Sequence, residues 1–386
     1  MIEDLYIQKF GRSPEVIAQA PGRLEFIGNH TDYNGGPVLG VAVDRRVSVA
    51  LAARSDRQAC FRSASMEGEV CVDIDSFAPL SGNESWANYP LGVLKELISA
   101  GMPIPHGFDM LVDSDLPAGA GLSSSAAFEL ASGYGYCGLY EFELDRADMA
   151  RVGRRAENNF VGMPCGILDQ GVSAFGDVNS LVKIDCEKEL FSRLTLPDDV
   201  HFWVFNTAKK HSLVDSLYGT RHQECMEAHR RMQAPLPQAQ NLAQISTAQL
   251  SEHQDLLGDV LYRRALHISG ECERVLAVES ALGKGDMATV GELLFESHES
   301  SRVNFENSIP ELDILVDALK ESQHVWGARL TGGGFGGAVM AVTNGQFGQA
   351  DAEKIVAAYQ EKFGQAATFF HTTTGPGASQ GQLSAT

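Results

Sequence analysis

Positive charge is scarce in this chain. Its 386 residues include 30 Lys and Arg against 50 Asp and Glu, which gives a formal net charge of -20 at pH 7. Nucleic-acid binding depends largely on cations that replace the counterions of phosphate groups, so this shortage argues against a nucleic-acid-binding protein. It argues in the same way against attachment to an anionic membrane surface.

Long apolar segments and Cys-x-x-Cys pairs are also missing. Residues 1–16 carry acidic side chains and no long apolar run, so no secretory signal is recognisable and we expect a cytoplasmic protein. The two long uncharged stretches, 330–350 and 363–386, are too rich in Gly, Thr, Ser and Gln to span a bilayer. The seven cysteines are therefore expected to be reduced thiols rather than a zinc site or a disulfide framework.

The rest of the composition is that of a globular protein. Hydrophobic residues make up 44% of the chain and charged residues 21%, so it can bury a sizeable core. The length favours two domains, and the pattern changes near residue 200. We therefore expect one domain over 1–198 and a second over 199–386, with the last strand packing back on the first domain.

The order of elements predicts an α+β fold. Residues 16–75 have strand patterns separated by short turns, and a helix over 86–101 and a strand over 107–117 follow. After residue 200 come a strand, a mainly helical region to about 323, and then a strand, a helix and a strand. This mixture favours antiparallel sheets over a doubly wound parallel sheet. The end of the chain, 375–386, is expected to be a loosely packed tail.

A glycine-rich segment joins the strand over 107–117 to a helix. In PAGAGLSSSAAFEL (117–130), a helix N-terminus with free N–H groups follows glycines that allow close approach of an anion. No Lys follows the glycines, which excludes an ordinary P-loop. The three serines 123–125 are suited to capping the helix, contacting phosphate or binding Mg²⁺, although a solvated turn accounts for the spacing equally well.

A second glycine motif, LTGGGFGGAV (330–339), contains G-x-G-x-x-G at Gly332, Gly334 and Gly337. In a dinucleotide-binding fold these glycines would open a helix, whereas AVMAVT afterwards has a strand pattern. We therefore interpret the motif as a loop whose backbone approaches a ligand or another loop, with a simple tight turn as the alternative.

Polar side chains concentrate in APGRLEFIGNHTDYNGG (20–36), which predicts recognition of an oxygen-rich ligand such as a sugar. A structural Asx-turn is the alternative interpretation of this segment. His30 has no second His or Cys at ligand spacing, so a metal site is not expected there. Asp169, in MPCGILDQGVSAFG (163–176), would stay ionised beside Arg23 and would be able to orient or deprotonate a hydroxyl, whereas alone it would cap a loop.

Together these segments resemble the galactokinase branch of the GHMP small-molecule kinases over nearly the whole chain. Further matches are WANY (86–89), AENNFVGMPCGILDQ (156–170), HSLVDSLY (211–218) and PELD (310–313). The resemblance implies a two-domain α+β fold with mixed or antiparallel sheets, and an active site in the cleft between the domains. It also implies ATP-dependent phosphorylation of the anomeric hydroxyl of a hexose, with Mg²⁺ as cofactor.

The resemblance also implies residue roles. Asp169 would be the base or orienting carboxylate, and Arg23 would stabilise it and the developing charge. The expected metal ligands are Ser125 and Glu157. The positions implied around ATP are Gly119, Ala120, Gly121, Leu122, Ser123, Ser124, Ser125, Trp86 and Tyr89, and those implied around the sugar are Asn29, His30, Asp32, Gly166 and Tyr218. We expect a monomer whose partners are a sugar and ATP, with neither nucleic acid nor membrane.

Two departures from the family bear on the substrate. Asn29 stands where galactokinases usually have Glu, and Glu25 stands where they usually have Asn. A neutral Asn29 would tolerate a C6 carboxylate, so galacturonate, N-acetylgalactosamine, arabinose and glucose are alternatives to galactose. The segment SRVNFENS (301–308) also differs from the family's Arg-Asp-Asp-Tyr pattern. A regulator that binds sugar and ATP without catalysis is the alternative from another functional class.

Overall fold

Two β-sheets organise the chain. The computed structural model describes residues 1–117, 119–209 and 214–381, without the side chains of 214–216. Part of the motif over 211–218 and the end of the tail over 375–386 therefore lie outside the described residues. No helix in the described ranges combines the length and hydrophobicity that a membrane span needs.

The first half of the chain supplies most of the larger sheet and the helices that cover it. Short 3₁₀ turns cover Asp32–Asn34 and Gly82–Ala87, and a π-helical turn covers Ala156–Val161. The regular elements are α1 (Ile2–Phe10), β1 (Val16–Ile27), β2 (Pro37–Ala53), β3 (Gln58–Ser63), β4 (Val70–Asp73), α2 (Asn88–Ser99), β5 (Phe108–Ser114), α3 (Ser124–Leu139), α4 (Arg146–Arg155), α5 (Leu168–Phe175), β6 (Ser180–Asp185) and β7 (Leu190–Thr195).

The second half is mainly helical around a smaller sheet. A 3₁₀ turn covers Leu242–Gln244, and a π-helical turn covers Ser301–Phe305. The regular elements are β8 (His201–Asn206), α6 (Val214–Met232), α7 (Thr247–Glu252), α8 (Gln254–Leu282), α9 (Met287–Ser300), α10 (Pro310–Lys320), β9 (Val325–Thr331), β10 (Ala338–Thr343), α11 (Gln349–Phe363), β11 (Thr368–Thr372) and β12 (Ser379–Gln380).

The larger sheet is mixed. Its strand order is β12-β1-β2-β5-β3-β4, and β6 also pairs with β2 and with β7. Strands joined by short turns, such as β1 and β2, are antiparallel as expected, but β3 and β5 are parallel because β4 and α2 intervene between them. The sequence patterns did not predict β6 and β7. The predicted α+β class is confirmed.

The smaller sheet is buried on both faces. Its order is β11-β8-β10-β9, with every pair antiparallel. Alternate residues of a strand point to opposite faces, and in β8 Phe202 and Val204 pack with α8 and α9, whereas Trp203 and Phe205 pack with α10 and α11. Helix α10 starts with Pro310 at its first turn, which fits the fixed φ of proline.

One apolar cluster connects the two sheets. It contains Leu24 and Phe26 from β1 together with Phe202 from β8 and Met340 from β10, all fully buried. Phe26 and Phe202 meet edge to face, with ring centroids 6.3 Å apart. The polar residues of β1 are therefore held against the strands and loops of the smaller sheet.

The expectation that all seven cysteines are reduced thiols is wrong. Cys60 and Cys71 face each other on the antiparallel strands β3 and β4 and form a disulfide, so not all cysteines are reduced thiols. The sequence patterns predicted both strands but not their register, which brings these two residues together. The other five cysteines are free thiols, as expected.

The segment 375–381 is packed rather than loose. Gly375 donates its N–H to the carbonyl of Ala42 at 2.8 Å, and Ala378 donates to the carbonyl of Ser173 at the same distance. Strand β12 then pairs with β1 at Ala18, and Ala378 is 1% exposed. Small residues allow this segment to lie against the larger sheet, which is why a composition typical of a tail does not produce one here.

We expect Ala378→Asp to destabilise the protein because it buries a carboxylate without a partner. The loss should be about 3 kcal/mol of the free energy of unfolding, measured by urea denaturation. The control is Gln380→Ala in the neighbouring exposed position, which should change stability by less than about 0.5 kcal/mol. Equal effects of the two substitutions would contradict the packing of this segment.

Candidate functional site

The segment between β5 and α3 forms a loop suited to an anion. Gly119 and Gly121 both have φ of 70°, a left-handed conformation that favours glycine. Helix α3 begins at Ser124, and Ser123 before it makes no side-chain cap. The N–H groups of the first turn and the positive end of the helix dipole therefore remain available to a ligand.

A cavity of about 430 Å³ lies over this loop. Trp86 lies at its wall, where its ring stacks on that of Phe128 with 6.2 Å between centroids. All the positions expected around ATP line this one cavity: Gly119, Ala120, Gly121, Leu122, Ser123, Ser124, Ser125, Trp86 and Tyr89. The structure thus brings together the loop and an aromatic wall that lies about 30 residues earlier in the chain.

A second cavity, also of about 430 Å³, collects the other predicted residues. Glycines of the second glycine motif, Gly332 and Gly333, form part of its wall. The predicted residues that line it are Arg23, Asn29, His30, Asp32, Gly166, Asp169 and Tyr218. Strand β1, the turn after it, the start of α5 and the helix α6 therefore meet around one space.

Arg23 and Asp169 connect the two cavities. Nε of Arg23 donates to Oδ1 of Asp169 at 2.6 Å, and Nη1 donates to the carbonyl of Gly121 at 2.8 Å. The hydroxyl of Ser123 donates to the other oxygen of Asp169. Burial alone would lower the pKa of Arg23, but the adjacent Asp169 carboxylate raises it above its ordinary value. The expected pairing of these two residues is present in the structure.

Asn29 is fully buried and takes part in a hydrogen-bond network. Its Nδ2 donates to Oε1 of Glu25 and to the carbonyl of Gly332, both at 2.8 Å. Its Oδ1 accepts from Nδ2 of Asn307 at 2.8 Å, and Oε1 of Glu25 also accepts from Nη1 of Arg329 at 3.1 Å. Asn307 belongs to the segment 301–308, so this departure from the family pattern contacts the departure at Asn29.

Glu271 of α8 holds the backbone next to this network. Its Oε1 accepts from the N–H groups of Gly28 and Asn29, both at 3.1 Å, and from the hydroxyl of Ser297 at 2.6 Å. Burial would raise the pKa of Glu271, but Arg274 and Arg329 lower it well below its usual range. Nothing in the sequence around Glu271 indicated this role, because α8 lies more than 200 residues from the turn that it supports.

The ring of His30 uses both nitrogens within the protein. Nε2 lies 3.0 Å from the carbonyl of Gly333 and Nδ1 lies 2.9 Å from the hydroxyl of Tyr33. A carbonyl only accepts, so Nε2 carries the proton and Nδ1 accepts from Tyr33. Burial lowers the pKa of His30 to about 3, which keeps the ring neutral. With these partners, neither ring nitrogen has a free lone pair.

Asp32 and Gly166 fit each other closely. A Cβ added to Gly166 would lie 1.8 Å from Oδ2 of Asp32, so this position accepts no side chain while the carboxylate keeps its place. Burial raises the pKa of Asp32 to about 7. The carboxylate thus faces the second cavity, in a setting where its charge is poorly solvated.

The two expected metal ligands lie beside a carboxylate that sequence reasoning missed. Nε2 of Gln170 donates to Oε2 of Glu157 at 2.8 Å and to Oε2 of Glu129 at 2.9 Å. Oε1 of Glu129 is buried without a partner among the described residues. The hydroxyl of Ser125 also contacts Glu157, and burial raises the pKa of both glutamates. Hydroxyl and carboxylate oxygens are the donors that Mg²⁺ takes, so the set fits that ion.

Comparisons with family models match three parts of the chain. A model described as the galactokinase galactose-binding signature matches residues 4–53. Models of the GHMP kinases N terminal domain and the GHMP kinases C terminal match residues 88–177 and 278–365. The first range contains β1 and the polar turn, and the second contains the glycine-rich loop.

Curated proteins match nearly the whole chain. The galactokinase of Roseiflexus sp. (strain RS-1) is 37% identical over 369 residues, which cover 96% of this chain and 94% of that protein. The galactokinase of Chloroflexus aggregans (strain MD-66 / DSM 9485) is 37% identical over 370 residues, with the same coverage of both chains.

Solved structures of kinases are also similar to this chain. Lactococcus lactis galactokinase complexed with galactose superposes with a TM-score of 0.92 at 31% sequence identity, and the match covers 98% of each chain. The mevalonate kinase of Methanococcus jannaschii has a TM-score of 0.65 at 18% identity, covering 93% of this chain and 98% of that one, and shows the shared fold.

We expect Asp32→Asn to stabilise the protein more at high pH than at low pH. The unfolded carboxyl ionises near 3.8 and the folded one at about 7, so the unfolded state binds fewer protons between these values and stability falls as pH rises. An amide removes this fall. Urea denaturation at about pH 5 and about pH 8 measures the difference.

The control for this prediction is Asp259→Asn, whose side chain is 77% exposed. It should leave the pH dependence of stability as it is in the unchanged protein. If Asp32→Asn gave the same stability change at both pH values, the effect of burial on Asp32 would be refuted.

Proposed function

The chain belongs to the galactokinases of the GHMP kinase family, and on that premise we propose that it transfers the γ-phosphoryl group of ATP to the anomeric hydroxyl of galactose. The observation that supports this best is the position of the Arg23–Asp169 pair. It lies between a cavity lined by the phosphate loop and a cavity lined by the predicted sugar residues. A nucleophile in one cavity therefore faces a phosphate in the other.

Asp169 acts on the sugar. Its Oδ2 accepts a hydrogen bond from Ser123, and the anomeric hydroxyl takes the place of that donor when the sugar binds. The carboxylate aligns this hydroxyl and accepts its proton as the bond between the sugar oxygen and the γ-phosphorus forms and the bond to the leaving ADP oxygen breaks. Arg23 holds the carboxylate in place and offsets the negative charge that develops on the transferred group.

The phosphate loop positions the other reactant. Backbone N–H groups of the loop and the N-terminus of α3 bind the ATP phosphates without a lysine. Trp86 and Tyr89 form an aromatic border of this cavity and would contact the adenine. Positioning of both reactants provides a large part of the rate enhancement in phosphoryl transfer.

Ser125 and Glu157 would hold Mg²⁺ beside the loop. Bound there, Mg²⁺ would supply positive charge that offsets the negative charge of the ATP phosphates. Glu129 and Glu157 both accept a hydrogen bond from Nε2 of Gln170. Because it holds Gln170, Glu129 helps to fix the position of Glu157. Gln170 is the neighbour of Asp169 in α5, and the same helix thus supports the metal ligands and the catalytic carboxylate.

A neutral sugar fits the second cavity better than an acidic one. Among the described residues, three carboxyl groups line the cavity, those of Glu25, Asp32 and Asp169, and the one cation, Arg23, is paired with Asp169. A C6 carboxylate would meet repulsion there rather than a free cation. The acidic lining of the cavity therefore favours galactose over galacturonate. The neutral Asn29, considered alone, indicated instead that an acidic group would be tolerated.

We also divide the chain between residues 198 and 199, just before β8. The larger sheet and α3 to α5 then supply Arg23, Asp169 and the phosphate loop. The part after residue 198 supplies Tyr218 and the loop at Gly332. Both parts line the sugar cavity, which supports an active site in the cleft between two domains.

We expect Asp169→Asn to reduce kcat by at least about 1,000-fold, because the amide aligns the hydroxyl poorly and accepts no proton. ATP binding, measured by calorimetry with a non-hydrolysable analogue, should change little because Asp169 does not line the ATP cavity. Activity is measured as ADP release with galactose, with NMR to show that the phosphate is on C1.

Asp177→Asn is the control for this variant, since its side chain is exposed and lies beyond the C-terminal end of α5. It should keep full activity. Near-normal turnover by Asp169→Asn would remove the role given to this residue. Binding of galactose and ATP by the unchanged protein without any ADP release would favour the non-catalytic regulator.

Gly166→Ala should lower kcat/KM for galactose by about 100-fold, because the new methyl group displaces the Asp32 carboxylate from the sugar cavity. Binding of the ATP analogue should be unchanged. The control is Gly219→Ala in α6, where no atom of the described residues outside the helix's own backbone lies within 4 Å of the added Cβ. A variant at Gly166 with normal KM and kcat would show that Asp32 does not contact the sugar.

A further inference from the structure

We propose that Glu25, and not Asn29, is the side chain of this chain that recognises the sugar hydroxyls far from the reacting carbon. The inference rests on the proposed galactose kinase activity and assigns a specificity-determining residue within it. It follows from which hydrogen-bonding atoms in the second cavity are already used by the protein and which are free.

Asn29 has no capacity left for a ligand. Both hydrogens of its Nδ2 are donated, one to Oε1 of Glu25 and one to the carbonyl of Gly332. Its Oδ1 accepts from Nδ2 of Asn307 at 2.8 Å and from the hydroxyl of Ser301 at 3.5 Å, and the residue is 0% exposed. A sugar hydroxyl would have to break one of these buried bonds, which would leave a protein group unpaired. Asn29 is therefore a positioning residue, which acts through Glu25.

The two carboxylate oxygens of Glu25 differ: Oε1 is hydrogen-bonded within the protein, whereas Oε2 has no donor among the described residues. Oε1 accepts from Asn29 and from Arg329, which fixes the carboxylate plane, and burial is the main cause of its raised pKa. No described residue donates to Oε2. The side chain is 6% exposed and lines the sugar cavity, so this remaining oxygen is directed to the space that the ligand fills. A fixed acceptor oxygen in a cavity is a good partner for a hydroxyl.

Strand geometry gives the distance from the reacting carbon. Arg23 and Glu25 are two residues apart in β1, where their pairing with β2 is regular, so both side chains point to the same face about 7 Å apart. Arg23 with Asp169 marks the position of the anomeric hydroxyl. Glu25 therefore faces the opposite edge of a hexose, where the C4 and C6 hydroxyls lie.

The charge of this acceptor restricts the substrate. Arg329 is fully buried behind Glu25 and does not line the sugar cavity, so a sugar carboxylate does not reach it. A free carboxylate oxygen accepts from a hydroxyl but repels another carboxylate. Glu25 thus selects a hexose with neutral hydroxyl groups at the far edge and rejects uronic acids.

The test measures kcat/KM for galactose, 4-deoxygalactose, 6-deoxygalactose and 2-deoxygalactose in the unchanged protein and in Glu25→Gln. In the unchanged protein, we expect loss of the contacted far hydroxyl to lower kcat/KM by about 100-fold, the effect of a hydrogen bond to a charged group. In Glu25→Gln this penalty should shrink to about tenfold or less. The penalty for 2-deoxygalactose, whose missing hydroxyl lies beside C1, should be the same in both proteins.

A second variant covers the case in which Glu25→Gln leaves Arg329 unpaired and fails to fold. Glu25→Asp keeps the charge but shortens the side chain by one methylene. In this variant too, loss of the far hydroxyl should lower kcat/KM by only about tenfold or less. Calorimetric affinities for galactose and for the deoxy sugars provide a readout independent of turnover and should show the same ratios.

The outcomes separate the two claims. If the unchanged protein releases no ADP with galactose, the proposed function fails. If it phosphorylates galactose but the 4-deoxy and 6-deoxy penalties are the same in the unchanged protein and in the folded Glu25 variant, the role of Glu25 is overturned. Binding of galacturonate as tight as that of galactose would also overturn it.

Discussion

The ion pair between Arg23 and Asp169 is the interaction on which the site depends. It joins β1 of the larger sheet to α5, and the second bond of Arg23, to Gly121, fixes the phosphate loop to the same group. Burial of a charge is costly unless the charge is paired, so each partner requires the other. Replacement of both by apolar residues would preserve packing, but it would disconnect the two cavities. The pair is thus explained by chemistry more than by stability.

Exposed and buried charges differ in this chain: the excess of acidic side chains is mostly exposed, whereas several arginines are buried. The net charge of -20 is spread over exposed acidic side chains, whereas Arg23, Arg274 and Arg329 are each buried or nearly so against a particular carboxylate. ATP is an anion, and the loop that faces it presents backbone N–H groups and a helix N-terminus instead of a cation. The acidic composition argues against polyanion binding, but it gives no information about the potential inside the cleft.

Local patterns predicted most of the fold and the first layer of the site. The strands β1 to β5, the helix after the serines and the polar turn all have short-range signals in the sequence, and the expected site residues other than Glu157 line two cavities. The supporting residues could not be found in this way. Glu271 of α8, Asn307 of the loop before α10 and Arg329 of β9 contact β1 or the turn after it from more than 200 residues away. Only tertiary packing sets such contacts. The disulfide was missed for a related reason, since it depends on strand register.

The departures from the family pattern form one connected group in the structure. Glu25 and Asn29 share a hydrogen bond, Asn29 accepts from Asn307 of the atypical segment, and Arg329 neutralises Glu25. A second carboxylate at position 29 would lie beside Glu25 and would lose the donor bonds to Glu25 and to the Gly332 carbonyl. A carboxamide at position 29 is therefore required by the carboxylate at position 25. The unusual Asn29 is best understood as the consequence of moving one carboxylate by four residues, from the turn into the strand, while the cavity remains acidic.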